Sequence, residues 1–424
     1  MVMVTLQDAF PKHCVLISAN KQWDKKLVDA GEDCAREISG SEHDMNNGKV
    51  VILRSNPVNP YPAVEKLAQT LVGSGYQVKV IGWDRSSKEK EWCGEIHLPA
   101  GNVPIVRLGI PAQFDGGFRK NLFPMIRFQL QLVKWLIRNK TTYDVIHAID
   151  LDTGLAGCLV AKLFRKHFVY QIQDFYSAAH FKQESFFYEP TKKLEFLVIN
   201  RADAVTICTE HRAHQIEGSH PKLLKVIHNV SNRTDPSSAC EPAIPSSHRI
   251  KIGYVGVLLP HRLLPELLTC VQNDPRFELH IAGYGPLQQV VEQHSANCDR
   301  IVFYGTIPHD QALYLENQCD VMTALYDADI PNHQFCAPNK LYEAMLLGKP
   351  ILMCRNTGWD DVISENDIGV LIESNEQGIR NGLNQLLEKR SQWPEMAQRS
   401  QKIFHANYAW PKMEEKILQI YRSL

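Results

Sequence analysis

Pro338-Asn339-Lys340-Leu341-Tyr342-Glu343-Ala344-Met345 runs into Leu346-Leu347-Gly348-Lys349-Pro350 and then the apolar triplet Ile351-Leu352-Met353. A proline-led turn opens a short helix, and Gly-Lys-Pro stops it ahead of a buried strand. A lysine in the first turn adds a cation to the positive end of that helix, an arrangement that attracts phosphate. Glu343, three residues on, shares the helix face of Lys340 and can accept hydrogen bonds from a pair of sugar hydroxyls. A cation for a diphosphate beside a carboxylate for a ribose is what a nucleotide-diphospho-sugar site requires.

Working outward, strands are expected at 252–255, 279–282, 301–303, 321–324 and 351–354. The N-terminal half carries the same rhythm, with strands at 50–53, 78–81, 145–147, 168–170 and 204–208 and helices after the Asn- and Pro-rich loop 55–62 and near 155–164. Strand, helix, strand in repeated order predicts an α/β chain with doubly wound parallel sheets and right-handed crossovers. A chain of 424 residues, 44% hydrophobic, exceeds the roughly 250 to 300 residues that one core usually serves. Two domains are therefore expected, at 49–232 and 250–411, with a Ser- and Pro-rich linker at 233–249 and a closing helix within 412–424. Residues 1–48 are polar and acidic. Trp23, Leu27, Ala30, Cys34 and Ile38 recur there at helical spacing, which fits either a small surface strand and helix or a partly disordered extension.

The net charge of −1 hides an asymmetry. Residues 49–232 carry 24 Lys+Arg against 16 Asp+Glu, and residues 233–424 carry 17 against 23. A basic first domain without the motifs of a nucleic-acid reader points to a phosphate-bearing acceptor or an anionic membrane surface. The segment 117–140 concentrates this character: Arg119, Lys120, Arg127, Lys134, Arg138 and Lys140 interleave with apolar residues and no acid. Such a segment either lies on lipid or packs on the sheet with a solvated basic face. The eleven cysteines form no C-x-x-C pair, which excludes a zinc ribbon or thioredoxin-like motif and reads as a reduced, cytoplasmic protein. No window reaches about 18 continuous apolar residues.

Three further stretches carry chemistry. Gly253-Tyr254-Val255-Gly256 ends a strand and leads to Arg262; Ala282-Gly283-Tyr284-Gly285 ends another, where glycines let the backbone approach a nucleotide. Tyr170-Gln171-Ile172-Gln173-Asp174 closes a strand of the first domain with an amide and a carboxylate. Gln173 can bind sugar hydroxyls but cannot take a proton at neutral pH.

Together with the opening segment, these motifs resemble those of retaining glycosyltransferases of family 4, and the resemblance runs from about Lys49 to the C-terminus. It implies two Rossmann-like domains facing across a cleft (the GT-B type), with the closing helix often crossing back to the first domain. It further implies a diphosphate held by Arg262 and Lys340, a donor site built by Gly256, Gly283, Gly285, Pro338, Asn339 and Glu343, and a nucleobase met by the loop around Ile307. Gln173 stands where the family usually has a histidine, and Asp174 either orients the acceptor or caps the following helix. His147 and His228, at strand ends, read as structural. Val257 replaces a common arginine, and Phe335 replaces the first of two glutamates, a role for which Asp327, Asp329 or the backbone at 336–337 are the substitutes. No cofactor beyond a nucleotide-sugar donor is implied, UDP being the commonest donor nucleotide in the family, and no metal. The acceptor is a glycan or lipid-linked glycan. The three departures also fit a catalytically inactive nucleotide-sugar-binding scaffold, and a nucleotide-sugar 2-epimerase shares the architecture.

Overall fold

Lys49-Val50-Val51-Ile52-Leu53 forms β1 (Lys49–Leu53). Val50 and Ile52 enter one apolar core and Val51 and Leu53 another, because successive side chains of a strand point to opposite faces. A strand buried on both faces belongs in the middle of a parallel sheet. β1 accordingly pairs in parallel on both edges, Val50 facing Val78 on one side and Val145 on the other.

The computed structural model describes residues 47–58, 61–87, 89, 91–113, 117–232, 244 and 247–424, with backbone alone at 117–119. The elements considered for 1–48, most of the linker 233–249 and the Arg119 side chain lie outside the described residues. After β1 come α1 (Pro62–Gly73), β2 (Gln77–Asp84), β3 (Glu91–Leu98), β4 (Gly101–Gly109), α2 (Gly117–Arg138), β5 (Val145–Ile149) and α3 (Leu151–Phe164). β6 (His167–Ile172), α4 (Tyr176–His180), α5 (Tyr188–Arg201), β7 (Ala204–Ile207), α6 (Arg212–Gln215) and β8 (Leu224–Val226) follow. The eight strands form one sheet in the order β3-β4-β2-β1-β5-β6-β7-β8, parallel except at β3–β4. That antiparallel hairpin is missing from the sequence reading. β3 buries only Ile96 and exposes Glu91, Trp92, Glu95 and His97, so no apolar run marks it, as suits an edge strand.

The second sheet is built from β9 (Ile250–Val255), α7 (Leu264–Asn273), β10 (Phe277–Ala282), α8 (Gln288–Asn297), β11 (Ile301–Phe303), α9 (His309–Gln318) and β12 (Val321–Ala324). It continues through α10 (Asn339–Leu347), β13 (Ile351–Cys354), α11 (Asp360–Asn366), β14 (Gly369–Ile372), α12 (Glu376–Glu388), α13 (Trp393–Ile403) and α14 (Trp410–Arg422). Its order is β11-β10-β9-β12-β13-β14, parallel throughout. α10 opens on Pro338 and closes on Gly348 at φ 65°, the left-handed stop that favours glycine.

Both sheets lie in one compact unit. α14 joins them: Met413, Ile417 and Ile420 share a core with Val50 and Ile52 of β1 and Leu341 of α10. Thr70 of α1 donates to Glu414 at 3.1 Å, and the Tyr421 hydroxyl lies 2.7 Å from Nδ1 of His147. Strand order reverses between β1 and β5 and again between β9 and β12. Open α/β sheets bind ligands beyond the carboxyl ends of such strands.

Candidate functional site

Arg54 follows β1 and Asp150 follows β5, so the reversal of the first sheet places them side by side as an ion pair. Asp150 holds φ at 60°, a left-handed conformation that is unfavourable for a residue bearing a Cβ. Its carboxylate accepts the backbone N–H of Gln173 at 2.7 Å and of Asp174 at 3.3 Å, fixing the turn after β6. Arg54 also donates to the Tyr61 hydroxyl at 2.9 Å, and Tyr61 donates to Oε1 of Gln173 at 2.6 Å. The amide of Gln173 is thereby oriented by a chain that starts at a buried guanidinium.

Asp174 is half exposed. Its Oδ1 accepts from Nη2 of Arg212 and from Nδ2 of Asn332, each at 3.1 Å. Asn332 belongs to the second half, so this contact crosses the cleft. Arg212 is only 3% exposed and donates through Nε to the Cys208 sulfur at 2.8 Å. The helix that follows Asp174 has no side-chain cap; the carboxylate is engaged by Arg212 and Asn332 instead.

In the second half, Gly256 follows β9 at φ 142° and Gly283 follows β10 at φ 148°. A Cβ on Gly283 would sit 1.8 Å from the Gly256 carbonyl oxygen, so the two turns lie against each other only as glycines. Gly285 presses on Leu258 in the same way, at 2.7 Å. A Cβ on Gly256 would lie 3.1 Å from Cε of Lys340, which locates that lysine directly under the turn.

Lys340 is buried, with Nζ 3.6 Å from the ring centroid of Tyr254. The Arg262 guanidinium lies 3.6 Å from the ring centroid of Tyr326, and its Nη1 is buried without a partner. Burial pushes the Lys340 amine down to about 7, and Arg262 adds to the shift while Glu316 and Glu343 oppose it. Leaving a buried donor unpaired costs about 1–3 kcal/mol. An anion placed between Arg262 and Lys340 removes that cost and restores the lysine's charge.

Glu343 is 12% exposed, 3.5 Å from Nε2 of His309. Burial raises its carboxyl, and His309, Lys340 and Lys66 pull it back down. Glu316 behind it is raised well above the carboxylate range by burial and by Glu343. The two neighbouring buried acids titrate together, and His309, Lys340 and Lys66 favour the charged form of Glu343 over that of Glu316.

A cavity of about 580 Å³ opens between the halves. Gln173, Asp174, Arg262, Pro338 and Asn339 line it, joined by Tyr61, Lys66, Arg212, Asn332 and His333. Lys340, Glu343, Ile307, Gly256, Gly283 and Gly285 are outside its lining; Lys340 is buried and Glu343 partly so. Cys336 and Ala337 line it, whereas Asp329 and Phe335 border a separate surface cleft. Val257 is 41% exposed. His147 also reaches the cavity; burial lowers it to about 4, and it bonds to Tyr421 and Gln171. His228 contacts the Tyr342 hydroxyl at 2.9 Å and Glu210 at 3.2 Å. Arg54, Tyr61, Asp150, Arg212 and Asn332 escape the sequence reading. Only the position of Arg54, directly after an expected strand, offers a signal; the others meet through the fold.

Two family models match the chain: "Glycosyltransferase Family 4" over residues 63–232 and "Glycosyl transferases group 1" over residues 243–403. Among curated proteins none matches the sequence. Among solved structures, sucrose-phosphate synthase from Thermosynechococcus elongatus is similar at TM-score 0.68 and 14% identity, over 89% of this chain and 98% of that one. Anabaena HepE in complex with UDP-glucose is similar at TM-score 0.61 and 17% identity, over 89% and 100%. A putative UDP-N-acetylglucosamine 2-epimerase from Listeria monocytogenes is similar at TM-score 0.56 and 15% identity, over 89% and 97%.

Proposed function

The chain belongs to the group 1 glycosyltransferases of the family 4 type, with two Rossmann-like domains in the GT-B arrangement, and from that premise we propose a retaining, metal-independent transfer from a nucleotide-diphosphate donor, UDP-sugar favoured, to a glycan or lipid-linked glycan in polysaccharide or glycoconjugate synthesis. The observation that carries this reading is the pair of cations, Arg262 with a buried Nη1 lacking a partner and Lys340 pushed down toward neutrality, set against the glycine turns. These cations neutralise the charge that grows on the departing diphosphate, the task a divalent ion performs elsewhere. Glu343 takes the ribose hydroxyls, and the loop at Ile307 takes the base. The fit of Anabaena HepE to UDP-glucose supports the choice of donor class.

Transfer proceeds on one face of the sugar. The acceptor hydroxyl bonds to the anomeric carbon as the bond to the β-phosphate oxygen breaks, and the hydroxyl proton passes to that oxygen. No protein base is required, which suits an amide at Gln173. Gln173, held by Tyr61, binds a donor-sugar hydroxyl, and Asp174, held by Arg212 and Asn332, orients the acceptor. The protein works at the cytoplasmic membrane face, with the 117–140 segment toward lipid. The test is proton NMR of sugar released from or transferred by UDP-, GDP-, ADP- and CMP-sugars. Product with the donor's anomeric configuration supports the reading. Failure of every donor to turn over leaves the inactive scaffold, and a changed donor sugar without transfer indicates an epimerase.

A further inference from the structure

The outer face of the first domain is apolar where it meets solvent. Among the described residues, eleven of the fourteen exposed large hydrophobic side chains fall on α2, α3 and the α4–α5 segment, so they form a patch rather than the scatter an ordinary surface shows. α2 contributes Leu122, Phe123, Ile126, Leu130 and Ile137, while α3 contributes Leu159 and Leu163. The stretch into α5 adds Phe186, Phe187, Leu194 and Leu197. Phe186 is 86% exposed and Phe123 76%. The three helices adjoin, α3 packing against both α2 and α5. They cover the sheet face of Val51 and Leu53, opposite to α1 and α14, which share a core with Val50 and Ile52.

This patch is cationic as well. Exposed Lys120, Arg127, Lys134 and Arg138 interleave with the apolar residues of α2. Lys162 and Arg165 close α3, and Lys182, Lys193 and Arg201 flank the apolar residues of α5. The exposed acids on the same elements are Glu184 and Glu189. Two copies meeting through this face about a two-fold axis would set its cations against themselves. An anionic bilayer satisfies both features: apolar side chains enter the headgroup boundary while amines and guanidinium groups reach the lipid phosphates. No helix among the described residues is long and apolar enough to cross a membrane, so the contact lies on the surface.

The face also adjoins the cleft. Tyr176 donates its hydroxyl to the Met125 sulfur of α2 at 3.4 Å, and Gln129 of α2 donates to the Asp152 carbonyl. Tyr176 and Asp152 line a second cavity, about 240 Å³, which shares Asp174 with the main cleft. The helix that carries Phe123 and Ile126 thus packs on the wall of a cavity that reaches the residue assigned to the acceptor.

We propose that α2, α3 and α5 together form a docking surface for an anionic lipid bilayer, which holds the second cavity and Asp174 at the membrane for a lipid-linked acceptor. This rests on the transferase reading of the cleft and extends the lipid-facing part from one helix to three.

The test uses the full chain with phosphatidylcholine vesicles, with and without about one third phosphatidylglycerol, in a flotation assay. Retention is expected only with phosphatidylglycerol, at 0.1 M salt, with release at 1 M, since the Debye length falls from about 10 to 3 Å. The decisive variants lie off α2: Leu163→Ser with Phe186→Ser, and separately Lys193→Gln with Arg201→Gln. Each pair is expected to reduce retention at least tenfold while leaving UDP-glucose affinity and the thermal midpoint unchanged. Wild-type levels of retention by both pairs would overturn the three-helix face, as would failure of the wild type to float. Self-association without vesicles that the serine pair abolishes would show a protein interface instead. Lys340→Met separates the two readings: it is expected to weaken UDP-glucose binding and keep vesicle retention. Floating protein that binds no nucleotide sugar would leave the docking surface standing and remove the reading of the cleft.

Discussion

Donor binding is expected to take up a proton at alkaline pH, and the group responsible is Lys340. Its amine is buried over Tyr254 beside Arg262 and held at about 7, against 10.5 for an ordinary lysine. A pKa lowered in the free enzyme means that the neutral amine dominates above pH 7, whereas a bound diphosphate requires the ammonium. At pH 8 about one molecule in eleven carries the charge, so affinity is weakened by about tenfold, or about 1.4 kcal/mol, relative to pH 6, where nine in ten carry it. UDP-glucose is the probe, because its doubly esterified diphosphate does not itself titrate over this range. Calorimetry at pH 8 in Hepes and in Tris then reads the uptake directly, as a difference in binding enthalpy close to that of the two buffers' ionisation. His333, lowered to about 4 by burial and Arg262, stays neutral throughout and does not blur the result. In Lys340→Met, affinity is lower at all pH values and its decline from pH 6 to 8 shrinks to no more than the about twofold that Lys66, lowered by burial to about 8, can contribute. A flat affinity and no proton uptake in the wild type, or the same pH profile in Lys340→Met, would refute the reasoning.

Arg262→Ala is expected to weaken UDP-glucose binding more than Arg262→Lys, since a guanidinium grips phosphate through two donors, and Val257→Arg to strengthen it; equal affinities by calorimetry would remove Arg262 from the site. Glu343→Ala removes the ribose acceptor and is expected to cost ten- to a hundredfold in turnover, about 1.5–3 kcal/mol for a charge-assisted contact, with the circular dichroism spectrum unchanged. Gly283→Ala drives a Cβ to within 1.8 Å of the Gly256 carbonyl and is expected to lower the thermal midpoint and abolish binding. Gly305→Ala, at φ 66° with nothing within 4 Å, is expected to cost only about 1–2 kcal/mol of backbone strain.

The parallel strands were legible because a strand buried on both faces must be written as an apolar run, as in Val50 to Leu53 and Ile351 to Cys354. β3 was not, because an edge strand with one buried side chain carries no such run; nor were its partner β4, interrupted by Pro104, the half-buried triplet of β8, and β14, which opens on Gly369. The second half of the site was similarly readable. Its glycines, Lys340 and Glu343 sit within local turns and one helix, where spacing constrains direction. The first half was hidden. Arg54 and Asp150 lie 96 residues apart, and Tyr61 and Gln173 112 apart. They meet only because strand order reverses between β1 and β5. The Asp174–Asn332 contact needs both domains in place. The basic character of α2 was visible in sequence, but its continuation across α3 and α5 was not, because Leu159, Leu163 and Leu194 look like core positions until their exposure is known.

The most direct test of the cleft's role is a crystal structure with UDP at millimolar concentration. The β-phosphate is expected between Nη1 of Arg262 and Nζ of Lys340, with the ribose hydroxyls on Glu343 and the base against the loop at Ile307. UDP bound elsewhere, or a cleft left without it at that concentration, would contradict the assignment of this site to a nucleotide-sugar donor.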